Sequence, residues 1–564
     1  MRVSRRDALV LVGALILAAI ALAALFLPEA LAHSAEIPLF AIYSTTRMTL
    51  AFLLSLTFAV SYGYTAAVNK RASIIMLPIL DVLQSVPILA FFPAVVIFFV
   101  AAFSGHPIGL EIAVIFLIFT SMAWNMAFGV YEAITAIPQD LLDAADAYGV
   151  SHWLRFRRLY LPAMIPKLVY NSILSWTVGW FYLVASEVFT AFNATYTRPG
   201  IGSFIAQAGQ AGDSVAIAIG LGALVVVVIL LDAFIWRPMS VWSERFRMEQ
   251  TAEEAGVSRT PPPYVRLRWL PTFPKLRIAA QRAVMPAFHR WDQINQQADK
   301  FRLAHRRVMR IVWYVNLAMF TVILTIVVAA GLYGLGRLFL SPLPPEVSQI
   351  PSASLRSFSR LALAYVVSIA WTLPVAAWLG HSERASKFLT PVIEVVASVP
   401  ATALFPVIIW FSVIVAAAWG FEAELAAFLV ALFAMQWYLL FNVLAGVRSI
   451  PGDLRQAARV FGLRRWTYAK RLVLPAITPS ILTGSITAWG AGWNALIVSE
   501  YIRFGNAVYQ VQGLGSLLDV ATIRSDNTLL IVTILALVVI VLVMNRLLWR
   551  PLIRRAAIRY RLEA

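Results

Sequence analysis

The sequence contains no cysteine among its 564 residues. That excludes disulfide frameworks, iron–sulfur clusters and thiolate nucleophiles. Histidine is sparse, at six residues, and no two stand in the His-x-x-x-His spacing of a metal-binding helix. Charged residues make up only 13% of the chain. No Gly-x-x-x-x-Gly-Lys-Ser/Thr phosphate loop occurs, so the chain does not bind ATP by that route. No catalytic constellation clusters at one membrane depth, which argues against a membrane enzyme.

What the sequence does have is apolar length. Apolar residues make up 60% of the chain and recur in runs of about 20, the length a helix needs to cross about 30 Å of hydrocarbon. The formal charge of +18 is concentrated in every second gap between these runs. Lys and Arg gather in this way in cytoplasmic loops, so the excess points to membrane topology and not to nucleic acid. At the start, Arg2, Arg5, Arg6 and Ala30-Leu31-Ala32 resemble the flanks of a signal peptide. The apolar run from Ala8 to Leu27 is long for a signal core, however, and is read as the first membrane helix.

The chain repeats itself. An offset of 313 residues carries Asp81-Val82-Leu83-Gln84-Ser85-Val86-Pro87 onto Glu394-Val395-Val396-Ala397-Ser398-Val399-Pro400. The same offset carries Trp124 onto Trp437, Leu161-Pro162 onto Leu474-Pro475 and Gly179-Trp180 onto Gly492-Trp493. It also carries Ser186-Glu187 onto Ser499-Glu500 and Trp236-Arg237-Pro238 onto Trp549-Arg550-Pro551. From Arg47, matched to Arg360, no gap is needed, so a domain has been duplicated.

The expected fold is an all-α polytopic membrane protein with about 12 transmembrane helices in two parallel six-helix repeats. The first repeat (1–238) has spans near 8–28, 46–68, 73–103, 109–131, 163–190 and 213–236. The second (308–564) has spans near 308–336, 357–379, 387–417, 422–445, 476–503 and 526–549. Residues 239–307 read as a basic cytoplasmic linker containing Pro261-Pro262-Pro263, lying near anionic headgroups. The positive-inside rule puts both termini in the cytoplasm.

The gap between the fourth and fifth spans carries the strongest motif. The first repeat reads Ile137-Pro138-Gln139-Asp140-Leu141-Leu142-Asp143-Ala144-Ala145-Asp146-Ala147-Tyr148-Gly149. The second reads Ile450-Pro451-Gly452-Asp453-Leu454-Arg455-Gln456-Ala457-Ala458-Arg459-Val460-Phe461-Gly462. Proline suits a first helical turn, aspartate there complements the helix dipole, and glycine can close the helix in a left-handed conformation. The Ala pair lets another protein surface approach closely. A short helix, a sharp turn and a second short basic helix are expected on the cytoplasmic face of each repeat.

These loops resemble the "EAA" signature of the permease subunits of binding-protein-dependent ABC importers: Glu-Ala-Ala, three residues, Gly, nine residues, an aliphatic residue, one residue, Leu-Pro. Both copies keep the spacing and depart at the first position, where Asp143 and Gln456 replace Glu. The Pro-rich third span, the Ser-Glu at the end of the fifth and the Gly-x-Gly after it resemble the nitrate/sulfonate/taurine/bicarbonate branch. The resemblance implies that Asp143, Ala144, Ala145 and Gly149, with Gln456, Ala457, Ala458 and Gly462, form coupling helices docking on two separate ABC ATPase subunits. Those subunits would carry the ATP and magnesium, and this chain no cofactor of its own. It further implies a bacterial inner-membrane location, a periplasmic or extracellular solute-binding protein as partner, and a complete pore in one fused chain. The loops differ in charge, Asp143 against Gln456 and Asp146 against Arg459, which suggests unlike docking surfaces.

Within the spans, Asp81, Glu394, Glu187 and Glu500 are candidate pore residues, because charge is costly in lipid. The alternative is that they brace helices against Arg or backbone groups. Trp176, Trp180, Trp489 and Trp493 stand one turn apart on the fifth spans and either line the pore or pack as core aromatics. Pro78, Pro87, Pro93, Pro391, Pro400 and Pro406 should kink or interrupt the third spans. The rival function is a 6+6 secondary transporter driven by an ion gradient, which has no reason to keep the paired loops.

Overall fold

The structure, a computed structural model, describes residues 35–191, 194–246, 293–294, 297–298, 301, 304–340, 342–463, 465–504 and 507–559. The expected span at 8–28 and most of the 239–307 linker lie outside these residues. Among the described residues, eight helices are long and apolar enough to cross a membrane.

In the first repeat, α1 (Ile37–Val68) leads to α2 (Lys70–Ser85), α3 (Ile88–Ala102) and α4 (Pro107–Thr135). The short α5 (Gln139–Ala147) follows, then α6 (Leu161–Glu187) with its lead-in from His152, and the hairpin β1 (Val188–Ala191) and β2 (Ala194–Thr197). Helix α7 (Ile201–Ala211) and the sixth span α8 (Ser214–Leu231) complete the repeat, and α8 continues helically through Phe246. The second repeat opens with α9 (Arg306–Leu340), over the expected 308–336 span. It proceeds through α10 (Ile350–His381), α11 (Glu383–Ala397), α12 (Phe405–Ala416), α13 (Glu422–Arg448) and α14 (Gly452–Val460). It closes with α15 (Leu474–Ser499), β3 (Tyr501–Phe504), β4 (Ala507–Gln510), α16 (Leu514–Ile523) and α17 (Asn527–Met544). The two antiparallel hairpins have equivalent registers, Val188 opposite Thr197 and Tyr501 opposite Gln510.

The duplication reaches local irregularities. π-turns at Phe156–Tyr160 and Asp232–Trp236 recur at Ala469–Val473 and Asn545–Trp549. Each stands just before a proline at the next helical start: Pro162, Pro238, Pro475 and Pro551. Proline lacks the N–H and clashes with the carbonyl four residues back, and a widened turn relieves the clash.

The third span of each repeat is broken, where the sequence places one continuous span. Only the middle proline of each trio makes the break. Val86 and Pro87 are extended, with ψ 126° and 121°, as expected of a residue before proline and of proline itself. Pro78 and Pro93 sit inside helices. At Pro400 the chain makes a longer turn before α12 begins. Small residues let the remaining spans close up. The buried face of α1 is Ser44, Arg47, Met48, Ala51, Ser55, Ala59, Gly63 and Ala66, at helical spacing. A Cβ on Gly63 would stand 2.7 Å from the Ala127 carbonyl oxygen of α4.

The breaks also join the repeats. Helix α3 packs on α15 and α16 of the second repeat, so Leu89, Phe92 and Val96 share one core with Trp493, Leu514 and Leu517. Reciprocally, α12 packs on α7, and Ala403 enters the first repeat's core.

Candidate functional site: loop helices at one end, a duplicated ionic cluster at the other

Helix α5 begins after Pro138 and α14 after Pro451, with Asp140 and Asp453 in the first turns. Both end in the same hydrogen-bond pattern. Val150 N donates to Ala145 O at 2.9 Å and Leu463 N to Ala458 O at 2.9 Å, across glycines with φ +60° (Gly149) and +69° (Gly462). This left-handed closure satisfies helix-terminal carbonyls and turns the chain sharply. Asp143, Ala144, Gly149, Gln456 and Gly462 are exposed, Ala145 and Ala457 half-buried, and Ala458 buried. Gln139 Nε2 donates to Asp143 Oδ1 at 2.8 Å. Tyr148 and Phe461, one residue before each glycine, are 87% and 81% exposed.

At the opposite end, the last residue of the fifth span joins a buried ionic cluster. Arg47 of α1 forks onto Glu111 of α4, with Nε 2.7 Å from Oε2 and Nη2 2.9 Å from Oε1. Its Nη1 donates to Glu187 Oε1 and to the Pro199 carbonyl, both at 2.9 Å. Ser44 Oγ donates to Glu187 Oε1 at 2.6 Å and accepts from Ile201 N at 3.0 Å, and Gly202 N donates to Glu187 Oε2 at 2.7 Å. The second repeat reproduces this set. Arg360 binds Glu424 at 2.7 and 3.0 Å, Glu500 at 2.5 Å and the Gln512 carbonyl at 3.2 Å. Ser357 Oγ and Gly515 N donate to Glu500 at 2.6 and 2.7 Å. A buried carboxylate is tolerable only when paired and hydrogen-bonded, and here several donors converge on each one. The cluster fastens the second, fourth and fifth spans to the segment after the hairpin.

Glu187 and Glu500 thus lie fully buried among protein partners. Asp81, on α2, pairs with Arg550 of the second repeat and so links the repeats. Glu394 stands at the equivalent place on α11. Trp176, Trp180, Trp489 and Trp493 are 7%, 1%, 5% and 1% exposed. Trp176 meets Phe52 and Trp236, and Trp489 meets Tyr365 and Trp549, within the helix cores, while Trp489 also meets the exposed Phe358.

Sequence reasoning singled out the two fifth-span glutamates but not their partners Arg47, Glu111, Arg360 and Glu424. A signal was available: Arg47 and Glu111 keep their identity at the offset of 313, which is unusual for charge inside apolar segments. A second pair of contacts also follows that register. Leu89 N donates to Asn494 Oδ1 at 3.2 Å across the seam between repeats, and Thr402 Oγ1 donates to the Phe181 carbonyl at 3.1 Å.

A duplicated membrane bundle, each copy bearing an exposed loop helix between its fourth and fifth spans, defines a transport-type membrane protein. Residues 58–237 and 369–549 each match the family described as binding-protein-dependent transport system inner membrane component. The chain belongs to this family and holds two of its domains, as a fused double permease. Among similar proteins, the nitrate import permease protein NrtB of Synechococcus elongatus is 29% identical over 147 residues, 26% of this chain and 50% of that protein. The taurine transport system permease protein TauC of Escherichia coli is 30% identical over 164 residues, 29% of this chain and 56% of that protein. The bicarbonate transport system permease protein CmpB of Synechococcus elongatus is 27% identical over 153 residues, 27% of this chain and 52% of that protein. The chain spans about half the length of these relatives. They are permease subunits of transporters and not themselves enzymes.

Proposed function

We propose that this chain supplies both halves of the translocation path of an ATP-driven importer in a bacterial inner membrane. Two separate ATPase subunits, carrying ATP and magnesium, dock on α5 and α14 from the cytoplasm. A solute-binding protein delivers cargo to the opposite end. Nucleotide-driven movement of the ATPases rocks the two repeats between inward-open and outward-open states. The cargo is a small anion or organic acid, by analogy with relatives named for nitrate, taurine and bicarbonate.

The observation that carries this reading is the pair of loop helices. Each is proline-started, exposed and closed by a left-handed glycine in the same register. The solute path follows the seam where the broken third span of one repeat meets the fifth span of the other, at Leu89 with Asn494 and Thr402 with Phe181. Irregular backbone inside a membrane bundle is tolerated where protein or a water-lined path surrounds it. Glu187 and Glu500 act as braces in this reading.

The test is purification of the tagged chain from its own membranes, with ATPase activity measured for the unaltered chain and for Gly149→Pro and Gly462→Pro. Proline fixes φ near −65° and is incompatible with the left-handed closure. Co-purification of an ATP-binding subunit, with loss of coupled activity in the variants, is expected. A chain that purifies alone and moves solute down an ion gradient refutes the proposal.

A further inference from the structure

The two loops share a backbone but not a chemistry. Between Gln139 and Ala147 stand three aspartates and no basic residue. Asp146 is held by Arg155, and Trp153 stacks on Phe156 with ring centroids 5.7 Å apart. The first loop's leading helix is therefore acidic, and the basic segment after it braces it through Arg155.

At the same register the second loop has Arg459 for Asp146, Tyr468 for Arg155 and Ala469 for Phe156. An arginine at position 468 would repel Arg459. Tyr468 instead meets His381, its hydroxyl 3.0 Å from Nε2. Arg459 is exposed and forms no ion pair among the described residues. With alanine in place of the stacking phenylalanine, Trp466 is 73% exposed where Trp153 is half-buried, and Val460, 84% exposed, stands where the first loop has Ala147; Phe461 at 81% is matched by Tyr148 at 87%. Exposed aromatic side chains of this size mark surfaces that a partner covers, and buried aromatics dominate interface energetics.

We infer that the two docking sites are unequal. The second repeat's loop is the main anchor for an ATPase subunit. Its Val460, Phe461 and Trp466 seat in an apolar groove that presents an acidic side chain to Arg459. The first repeat's loop meets a basic surface through Asp140 and Asp143 and adds a weaker, salt-dependent attraction. Apolar burial is little affected by ionic strength, whereas exposed charge pairs are screened within about 10 Å at ordinary salt. This inference rests on the proposed docking of ATPase subunits at these loops.

The test uses the full chain in lipid nanodiscs and the ATPase subunit that co-purifies with it, with the dissociation constant measured at low and at high salt. Phe461→Ala with Trp466→Ala should weaken binding by at least about tenfold at both salt concentrations. Asp140→Asn with Asp143→Asn should weaken it only a few-fold, and only at low salt. The conservative pair Phe461→Tyr with Trp466→Phe should restore most of the affinity, which separates a docking role from misfolding. Equal losses from the two loops overturn the inference. So does unchanged binding in the Phe461/Trp466 variant, the result expected if these rings rest in the headgroup layer. If no ATPase subunit accompanies the unaltered chain, the proposed function falls and this inference with it. Unequal sites failing while an ATPase is bound leaves the proposed function standing.

Discussion

Arg47 Nη1 lies 2.9 Å from Glu187 Oε1, and 313 residues later Arg360 and Glu500 form the same buried contact. The two clusters are not identical at their rims. Arg198 Nε lies 3.8 Å from Glu111 in the first repeat, and Val511 occupies the equivalent position in the second.

Removing one partner of a buried ion pair costs about 3–5 kcal/mol, because the other charge is left uncompensated. Arg47→Ala and Arg360→Ala should both lower the thermal midpoint of the purified chain in detergent. Arg360→Ala should lower it further, since among the described residues no second arginine pairs with Glu424. Equal midpoints for the two variants would show that Arg198 gives Glu111 no support.

The glycines divide into two classes. A Cβ on Gly200 would stand 2.1 Å from Glu187 Oε1, and one on Gly513 2.1 Å from Glu500 Oε2. A Cβ on Gly149 would meet nothing within 4 Å, and the strain there comes only from its φ of +60°. Gly149→Ala should therefore cost about 1–2 kcal/mol, the usual left-handed penalty. Gly200→Ala and Gly513→Ala should cost more, by displacing a buried carboxylate from its donors. Urea titration of the three variants against the unaltered chain gives the ranking.

Across the seam, Asn494 accepts from Leu89 N, a donor in the first turn of α3 that has no carbonyl of its own helix to bond. Thr402 donates to the Phe181 carbonyl within α6. Asn494→Ala strands a buried N–H and should cost about 1–3 kcal/mol. Thr402→Val removes a donor from a carbonyl inside a helix and should cost less. Hydrogen exchange at the Leu89 amide should rise in Asn494→Ala and stay unchanged in Thr402→Val.

Asp81 and Arg550 join the repeats through side chains 39% and 56% exposed. At that exposure the pair is worth about 0–1 kcal/mol. Asp81→Arg and Arg550→Asp should each weaken the chain slightly and restore it when combined. A double-mutant cycle with no coupling energy would mean that the contact does not hold in the membrane.

Much of this protein is written in its sequence. Apolar run length marks the spans because lipid offers backbone groups no partner, so each run must close its own hydrogen bonds as a helix. The 313-residue register marks the duplication. The proline, aspartate and glycine of each loop prescribe a short helix and its closure, since these residues act through their own backbone geometry. What the sequence left open depends on contacts between distant segments. Three prolines in each third span are equivalent on paper, yet the chain breaks only at Pro87 and Pro400, where it crosses to the other repeat. Glu187 reads as a charge in an apolar run, but only the bundle brings Ser44, Arg47 and Gly202 onto its two oxygens. Periodicity shows which face of a helix is buried; which buried group a charge meets is set by packing between helices far apart in the chain.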